Sequence, residues 1–224
     1  MALEMERTLK PEILAVRLIP NVHPDMAKAL ELLPGEKSLA LFTCNIDDPL
    51  YIGGDEATKK AEVRVAYCRS HFAGGAYPSG PLSGECMLLL AAPNPAEATA
   101  GINAVLEFVD SLRYSTVTLP GVELVPTLVW LAYTISRSGT YLSKEAGVEV
   151  GTPIAYITAP PLEGHYAMER ALKAADVKVG AFTRLSETNY HGAYLYGTQS
   201  ACRAACRAFD EAVLSVANDP LAFQ

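Results

Sequence analysis

Ala57 to Tyr67 reads ATKKAEVRVAY, and Ala171 to Ala181 reads ALKAADVKVGA. At a shift of 114 residues (171 minus 57), Ala57/Ala171, Lys59/Lys173, Ala61/Ala175, Val63/Val177 and Val65/Val179 are identical pairs. Glu62/Asp176 and Arg64/Lys178 keep their charge. In both stretches a helical pattern runs into a strand that alternates apolar and polar residues. Further on, Ala104-Val105-Leu106 recurs as Ala212-Val213-Leu214, a shift of 108. Two matches in the same order identify a tandem duplication. The first copy then carries extra residues, and Ser70 to Gly84, SHFAGGAYPSGPLSG, reads as the long loop that holds them. The boundary falls near residues 112 to 114, dividing the chain into residues 1–113 and 114–224.

The same coarse pattern is legible in each copy. In the first, strands are predicted at Ile13 to Ile19, Ser38 to Thr43, Glu62 to Cys68 and Glu85 to Ala92. Helices are predicted at Asp25 to Leu33, from Asp55, and from the Pro93-Asn94-Pro95 start to Asp110, proline being tolerated at a helix start. In the second, strands are predicted near Thr127 to Ile135, Ile154 to Thr158, Val177 to Thr183 and Ala193 to Tyr196. Helices are predicted near Gly139 to Ala146, Tyr166 to Ala174 and Gln199 to Val216. The last helix places Cys202, Cys206, Phe209, Val213 and Val216 on one stripe. The alternation predicts an α/β sandwich, one sheet covered by helices.

Composition narrows the function. The 224 residues are 50% hydrophobic and 19% charged, outside the range of disordered or collagen-like chains. Eighteen basic against 25 acidic side chains give a net charge of -7, and no basic tract occurs. Nucleic-acid binding, which needs clustered cations, is excluded as the expected role. Five cysteines without framework spacing read as thiols in a reducing compartment. The first twenty residues lack a signal sequence's apolar run, and Met87 to Ala92 and Leu124 to Ile135 are too short to span a membrane. The expectation is a soluble, cytoplasmic protein without membrane partners.

HExxH, GxSxG, P-loop and GxGxxG signatures are absent. His23, His71, His165 and His191 are scattered, and Cys68 with His71 is only half of a metal spacing. Cys202 and Cys206, one helical turn apart, read as packing residues. Asp47-Asp48-Pro49 is the densest acidic feature outside a helix. It is readable as a turn, or as a cation or ammonium site with Glu85 as third carboxylate. Ser186-Glu187-Thr188-Asn189-Tyr190, in the shorter loop of the second copy, is readable as a solvated loop or as hydrogen-bonding groups for a small polar molecule. Tyr114, at the junction, packs or plugs an opening.

The segments YIGGDEATKKAEV (Tyr51 to Val63), AAPNPAEA (Ala91 to Ala98), SRSGTYLS (Ser136 to Ser143), APPLEGHYAMERALKAADV (Ala159 to Val177) and SETNYHGAYLYGTQSAC (Ser186 to Cys202) resemble the EutL family. These are tandem-domain shell proteins of the bacterial microcompartment that encloses ethanolamine breakdown. The resemblance runs in register from about residue 10 to the C-terminus. It implies two circularly permuted microcompartment shell domains, each a ferredoxin-like α/β sandwich. It further implies a pseudohexameric homotrimer that tiles with other shell proteins, in a compartment within the cytoplasm. A central pore with closed and open states is implied, Ser70 to Gly84 and Ser186 to Tyr190 being its mobile parts. Ethanolamine is the implied ligand of the closed form, on residues matching Asp47, Asp48, Glu85, Thr188, Asn189 and Tyr190. No catalytic residue, metal or resident cofactor is implied, and cobalamin enters only as a solute of the open pore. A duplicated sensor domain binding a small molecule without assembly is the alternative. A metal hydrolase on Asp47, Asp48 and Glu85 ranks below it, lacking the histidines and general base of such sites.

Overall fold

A computed structural model of the chain describes residues 3–70, 84, 86–118, 128–183 and 190–221. The elements in chain order are β1 (Glu6–Leu9), β2 (Ile13–Ile19), α1 (Pro24–Ala29), β3 (Ser38–Cys44), α2 (Asp48–Lys60), β4 (Arg64–Ser70), β5 (Cys86–Ala92) and α3 (Pro95–Ser111). There follow β6 (Tyr114–Val117), β7 (Leu128–Ile135), α4 (Thr140–Ala146), β8 (Ile154–Ala159), α5 (Pro161–Ala174), β9 (Val177–Thr183), β10 (His191–Gly197) and α6 (Gln199–Asn218). They divide into two compact units: Pro11–Leu112 with Gly139–Leu142, and Met1–Lys10 with Arg113–Ser138 and Ser143–Gln224.

The first of these units holds a four-stranded antiparallel sheet in the order β2-β3-β5-β4. The other holds a six-stranded antiparallel sheet in the order β1-β6-β7-β8-β10-β9. The run β7-β8-β10-β9 repeats β2-β3-β5-β4 element for element, which is the duplication in space. In each unit two helices pack on each other and on the sheet, α2 with α3 and α5 with α6. The central strands are nearly all buried: β8 at every residue, β5 at all but Met87.

Helices α3 and α6 begin alike, because Asn94 and Thr198 cap them by accepting from Glu97 N (3.0 Å) and Ala201 N (3.2 Å). These caps lie 104 residues apart (198 minus 94), one helical turn short of the shift of 108 read from the Ala-Val-Leu match. A four-residue slip returns to the same helix face, so the triplet keeps its apolar side while losing its structural register. On α6, Cys202, Cys206, Phe209 and Val213 are buried as the stripe predicts, and Val216 only half so. Burying Phe209 completely contributes about 2–3 kcal/mol.

Two expectations need correction. Helix α2 starts at Asp48, not at Asp55, so Asp47-Asp48-Pro49 is a helix start instead of a free turn. Gly53-Gly54 reads locally as a break, but packing overrides that. A Cβ on Gly53 would lie 3.3 Å from Val105 Cγ1, and one on Gly54 3.1 Å from Val65 Cγ2, so glycine lets α2 lie close against its neighbours. Strands β1 and β6 have no counterpart in the predicted elements. They pair with each other through Glu6↔Thr116 and Leu9↔Tyr114, which buries Tyr114 as a packing residue.

Candidate functional site

The acidic pair sits where β3 hands over to α2. Asn45 fixes the strand end by exchanging bonds with Glu12: its Oδ1 accepts from Glu12 N (2.8 Å), and its N donates to Glu12 O (3.1 Å). Asp47 is the cap of α2, its Oδ1 accepting from Asp48 N at 3.0 Å. Asp48 opens the first turn, Pro49 follows where no N–H is needed, and Asp48 is 9% exposed. Carboxylates at a helix N-terminus are favoured as anions by the helix dipole. The pair therefore sets one half-buried and one buried carboxyl group at the start of α2.

In the same unit Tyr51 lies near Asp47, and Cys86 and Cys68 lie near Tyr51. Tyr51, one turn into α2, accepts at its Oη from Ser70 N (3.0 Å) at the end of β4. Burial pushes its phenol above the ordinary range, and the proximity of Cys86, Cys68 and Asp47 adds to the push. Cys44 and Cys86 are register partners on β3 and β5, and burial pushes the Cys44 thiol up to about 11. Gly84 is placed at φ +63°, and a Cβ there would overlap the Cys44 carbonyl oxygen, so only glycine lets the chain enter β5 at this spot.

The remaining predicted positions are distributed as follows. Glu85, Thr188 and Asn189 lie outside the described residues, as do most of Ser70 to Gly84 and of Ser186 to Tyr190. The neighbours of position 85, Gly84 and Cys86, stand beside Cys44, three residues before Asp47. Tyr190 directly precedes β10 in the other unit. Beside it, His191 Nδ1 lies 3.0 Å from His165 Nδ1 on α5, and the rings meet edge-on at 4.6 Å. That histidine pair, 26 residues apart, has no signal in the linear sequence.

The Cys68–His71 spacing is half outside the described residues. Cys202 and Cys206 belong to an apolar core, where burial pushes the Cys206 thiol up to about 12. Among the described residues no group of three His, Cys, Asp or Glu side chains is placed to hold a metal ion. No described helix is long and apolar enough to cross a membrane.

No family model matches the chain. It is 50% identical over 221 residues to the bacterial microcompartment shell protein EutL of Clostridium perfringens (strain 13 / Type A), covering 96% of this chain and 98% of that one. It is 42% identical over 214 residues to the shell protein EutL of Escherichia coli (strain K12), covering 95% and 96%. The crystal structure of ethanolamine utilization protein EutL from Leptotrichia buccalis C-1013-b matches the whole of both chains, with 45% identity and a TM-score of 0.88.

Proposed function

Because the chain belongs to the EutL family of bacterial microcompartment shell proteins and is a structural shell component instead of an enzyme, we propose that it forms a trimeric tile with a gated central pore. Each chain contributes two permuted shell domains, divided in sequence at residues 113 and 114, so that three chains make a ring of six. Glu6–Leu9 pair as β1 with β6 in the sheet of the second domain. The tile packs with other shell proteins, holds no metal, and passes solutes, cobalamin among them, when open.

Ethanolamine is the ligand of the closed state in this reading. At neutral pH it is an ammonium carrying a hydroxyl, so it calls for carboxylates at one end and neutral hydrogen-bonding groups at the other. Asp47 and Asp48 supply the anionic end, with Glu85 as the third carboxylate, and Thr188, Asn189 and Tyr190 meet the hydroxyl. The observation that carries this reading is the buried Asp48 beside the capping Asp47 in a chain 50% identical to a shell protein over nearly its full length. A ligand that prefers the closed state lowers the population of open pores by its differential affinity.

Light scattering gives the assembly and calorimetry the ligand. A native mass of three times 24.0 kDa supports the tile, and a monomer at every concentration sinks it in favour of a sensor. Asp48→Asn should weaken ethanolamine binding about tenfold, removing a charge-assisted contact worth about 1.5 kcal/mol. Unchanged affinity in Asp47→Asn and Asp48→Asn would remove these residues from the ligand.

A further inference from the structure

Helix α2 grips a segment of the second copy inside its own unit. Asp55, fully buried, accepts at Oδ2 from Gly139 N (2.7 Å) and at Oδ1 from Leu142 N (2.8 Å), and Thr58 Oγ1 accepts from Thr140 N (3.1 Å). Leu142 is fully buried as well, and Gly139–Leu142 belong to the unit of α2. The duplication supplies a twin for each side of this contact. At the shift of 114 that aligns α2 with α5, Ile52, Asp55, Thr58 and Lys59 answer to Tyr166, Glu169, Leu172 and Lys173. The Asp55–Lys59 ion pair recurs as Glu169–Lys173 (2.7 Å). On the other side, Ser138 N donates to Thr152 O (3.1 Å) as Val22 N donates to Lys37 O (2.8 Å), which aligns the turns before α4 and α1 at a shift of 116 (138 minus 22). Gly139, Thr140 and Leu142 then answer to His23, Pro24 and Met26. Both twins lie open. Ile52 and Leu142 are fully buried, whereas Tyr166 is 41% exposed, Met26 37%, and the Glu169 side chain 58%.

We propose that the face of α5 carrying Tyr166, Glu169 and Lys173 is the docking surface for α1 of a second copy of this chain, the interchain twin of the contact between α2 and Gly139–Leu142. Glu169 accepts from backbone N–H groups at the start of that α1, Met26 N answering to Leu142 N, and Met26 packs on Tyr166. Charge and polarity match position by position. The Glu169 carboxylate meets amide donors as the Asp55 carboxylate does. Thr58 offers a side-chain acceptor to the Thr140 N–H, whereas Leu172 has no such acceptor and Pro24 has no N–H, so the twin contact strands neither group. A Cβ on Gly139 would lie 2.6 Å from Asp55 O. His23 has that Cβ and holds α1 farther out, a gap that Glu169 spans with one methylene more than aspartate. Face and occupant lie on different halves of the chain, so docking is head-to-tail, and a head-to-tail contact that closes makes a ring. The proposal rests on the trimeric tile and names the side chains that join its chains.

The test replaces Tyr166 by the photo-crosslinker p-benzoylphenylalanine in the full-length protein, irradiates it, and maps the products of doubled chain mass by mass spectrometry. Light scattering of the same sample gives the native mass. The expected result is a trimer whose linked chains join position 166 to the peptide holding Met26. A trimer whose cross-links fall elsewhere, or are absent, overturns the docking face and leaves the tile standing; a monomer overturns both. Glu169→Ala should raise the concentration at which half of the assembly dissociates by about tenfold, the loss of one charge-assisted contact. Glu211→Ala, on the exposed face of α6, should leave that concentration unchanged. Equal values for the wild type and Glu169→Ala would also overturn the proposal. Urea unfolding of each variant, followed by Trp130 fluorescence, separates lost docking from lost folding.

Discussion

Asp210 is the most informative residue to perturb, because it holds the only tryptophan of the chain. Trp130 Nε1 donates to Asp210 Oδ1 at 2.7 Å, and Arg7 Nη2 donates to Asp210 Oδ2 at 2.8 Å. Trp130 is fully buried and the Asp210 side chain is 7% exposed, but that of Arg7 is 54% exposed. Asp210→Ala strands the indole N–H without its acceptor, which costs about 1–3 kcal/mol, and opens a small void. Arg7 regains water, so losing its ion pair adds only ~0–1 kcal/mol. A total of about 2–3 kcal/mol follows for Asp210→Ala. Asp210→Asn keeps an acceptor for the indole and should cost about 1 kcal/mol.

Burial raises the Asp210 carboxyl above its ordinary value, and the hydrogen bond from Trp130 and the charge and hydrogen bond of Arg7 bring it only part of the way back. With the folded value above the unfolded one, its stabilising contribution is complete below the unfolded value. It is lost as pH rises through the folded value. The gap between wild type and Asp210→Asn should therefore be widest in acid and narrow toward neutral pH. Urea unfolding followed by Trp130 fluorescence reads both effects. Equal losses for Asn and Ala would refute the indole acceptor role, and a gap that widens as pH rises would refute burial as the main influence on this carboxyl.

Two other carboxylates make distinct predictions. Asp55 is fully buried, accepts from Gly139 N (2.7 Å) and Leu142 N (2.8 Å), and has Lys59 Nζ at 3.4 Å. Asp55→Asn turns an amide N–H toward a backbone N–H, so a near-isosteric change should cost about 2–4 kcal/mol and lower hydrogen-exchange protection at Leu142; wild-type protection there would refute the cap. Glu36 receives two bonds of 2.7 Å from Arg64 and one of 2.7 Å from Leu33 N. Burial raises its carboxyl, but Arg64 and the Leu33 N–H outweigh that and hold it below the ordinary glutamate range. Its contribution is present above the unfolded value and disappears as pH falls through the folded one. Glu36→Gln should cost about 1–2 kcal/mol at neutral pH and nothing at pH values below the folded one, and a pH-independent cost in urea titrations would contradict the pairing.

What the linear pattern decided was everything written in local periodicity. β2 and β9 occupy the predicted spans, and α3 begins at the predicted Pro95, because alternation, apolar stripes and capping residues act within a few positions of one another. The duplication was legible for the same reason, since both copies repeat that local grammar. Tertiary structure alone decided features that depend on partners distant in sequence. ERTL at β1 carries little strand signal and becomes a strand by pairing with residues more than a hundred positions away. Gly53-Gly54 looks like a break until Val105, Val65 and Leu88 are packed against it. The meeting of Cys68 with Cys86, of His165 with His191 and of Trp130 with Asp210 has no local trace. Side-chain chemistry across a sheet or between a strand and a helix is set by register and packing, and those exist only once the chain has folded.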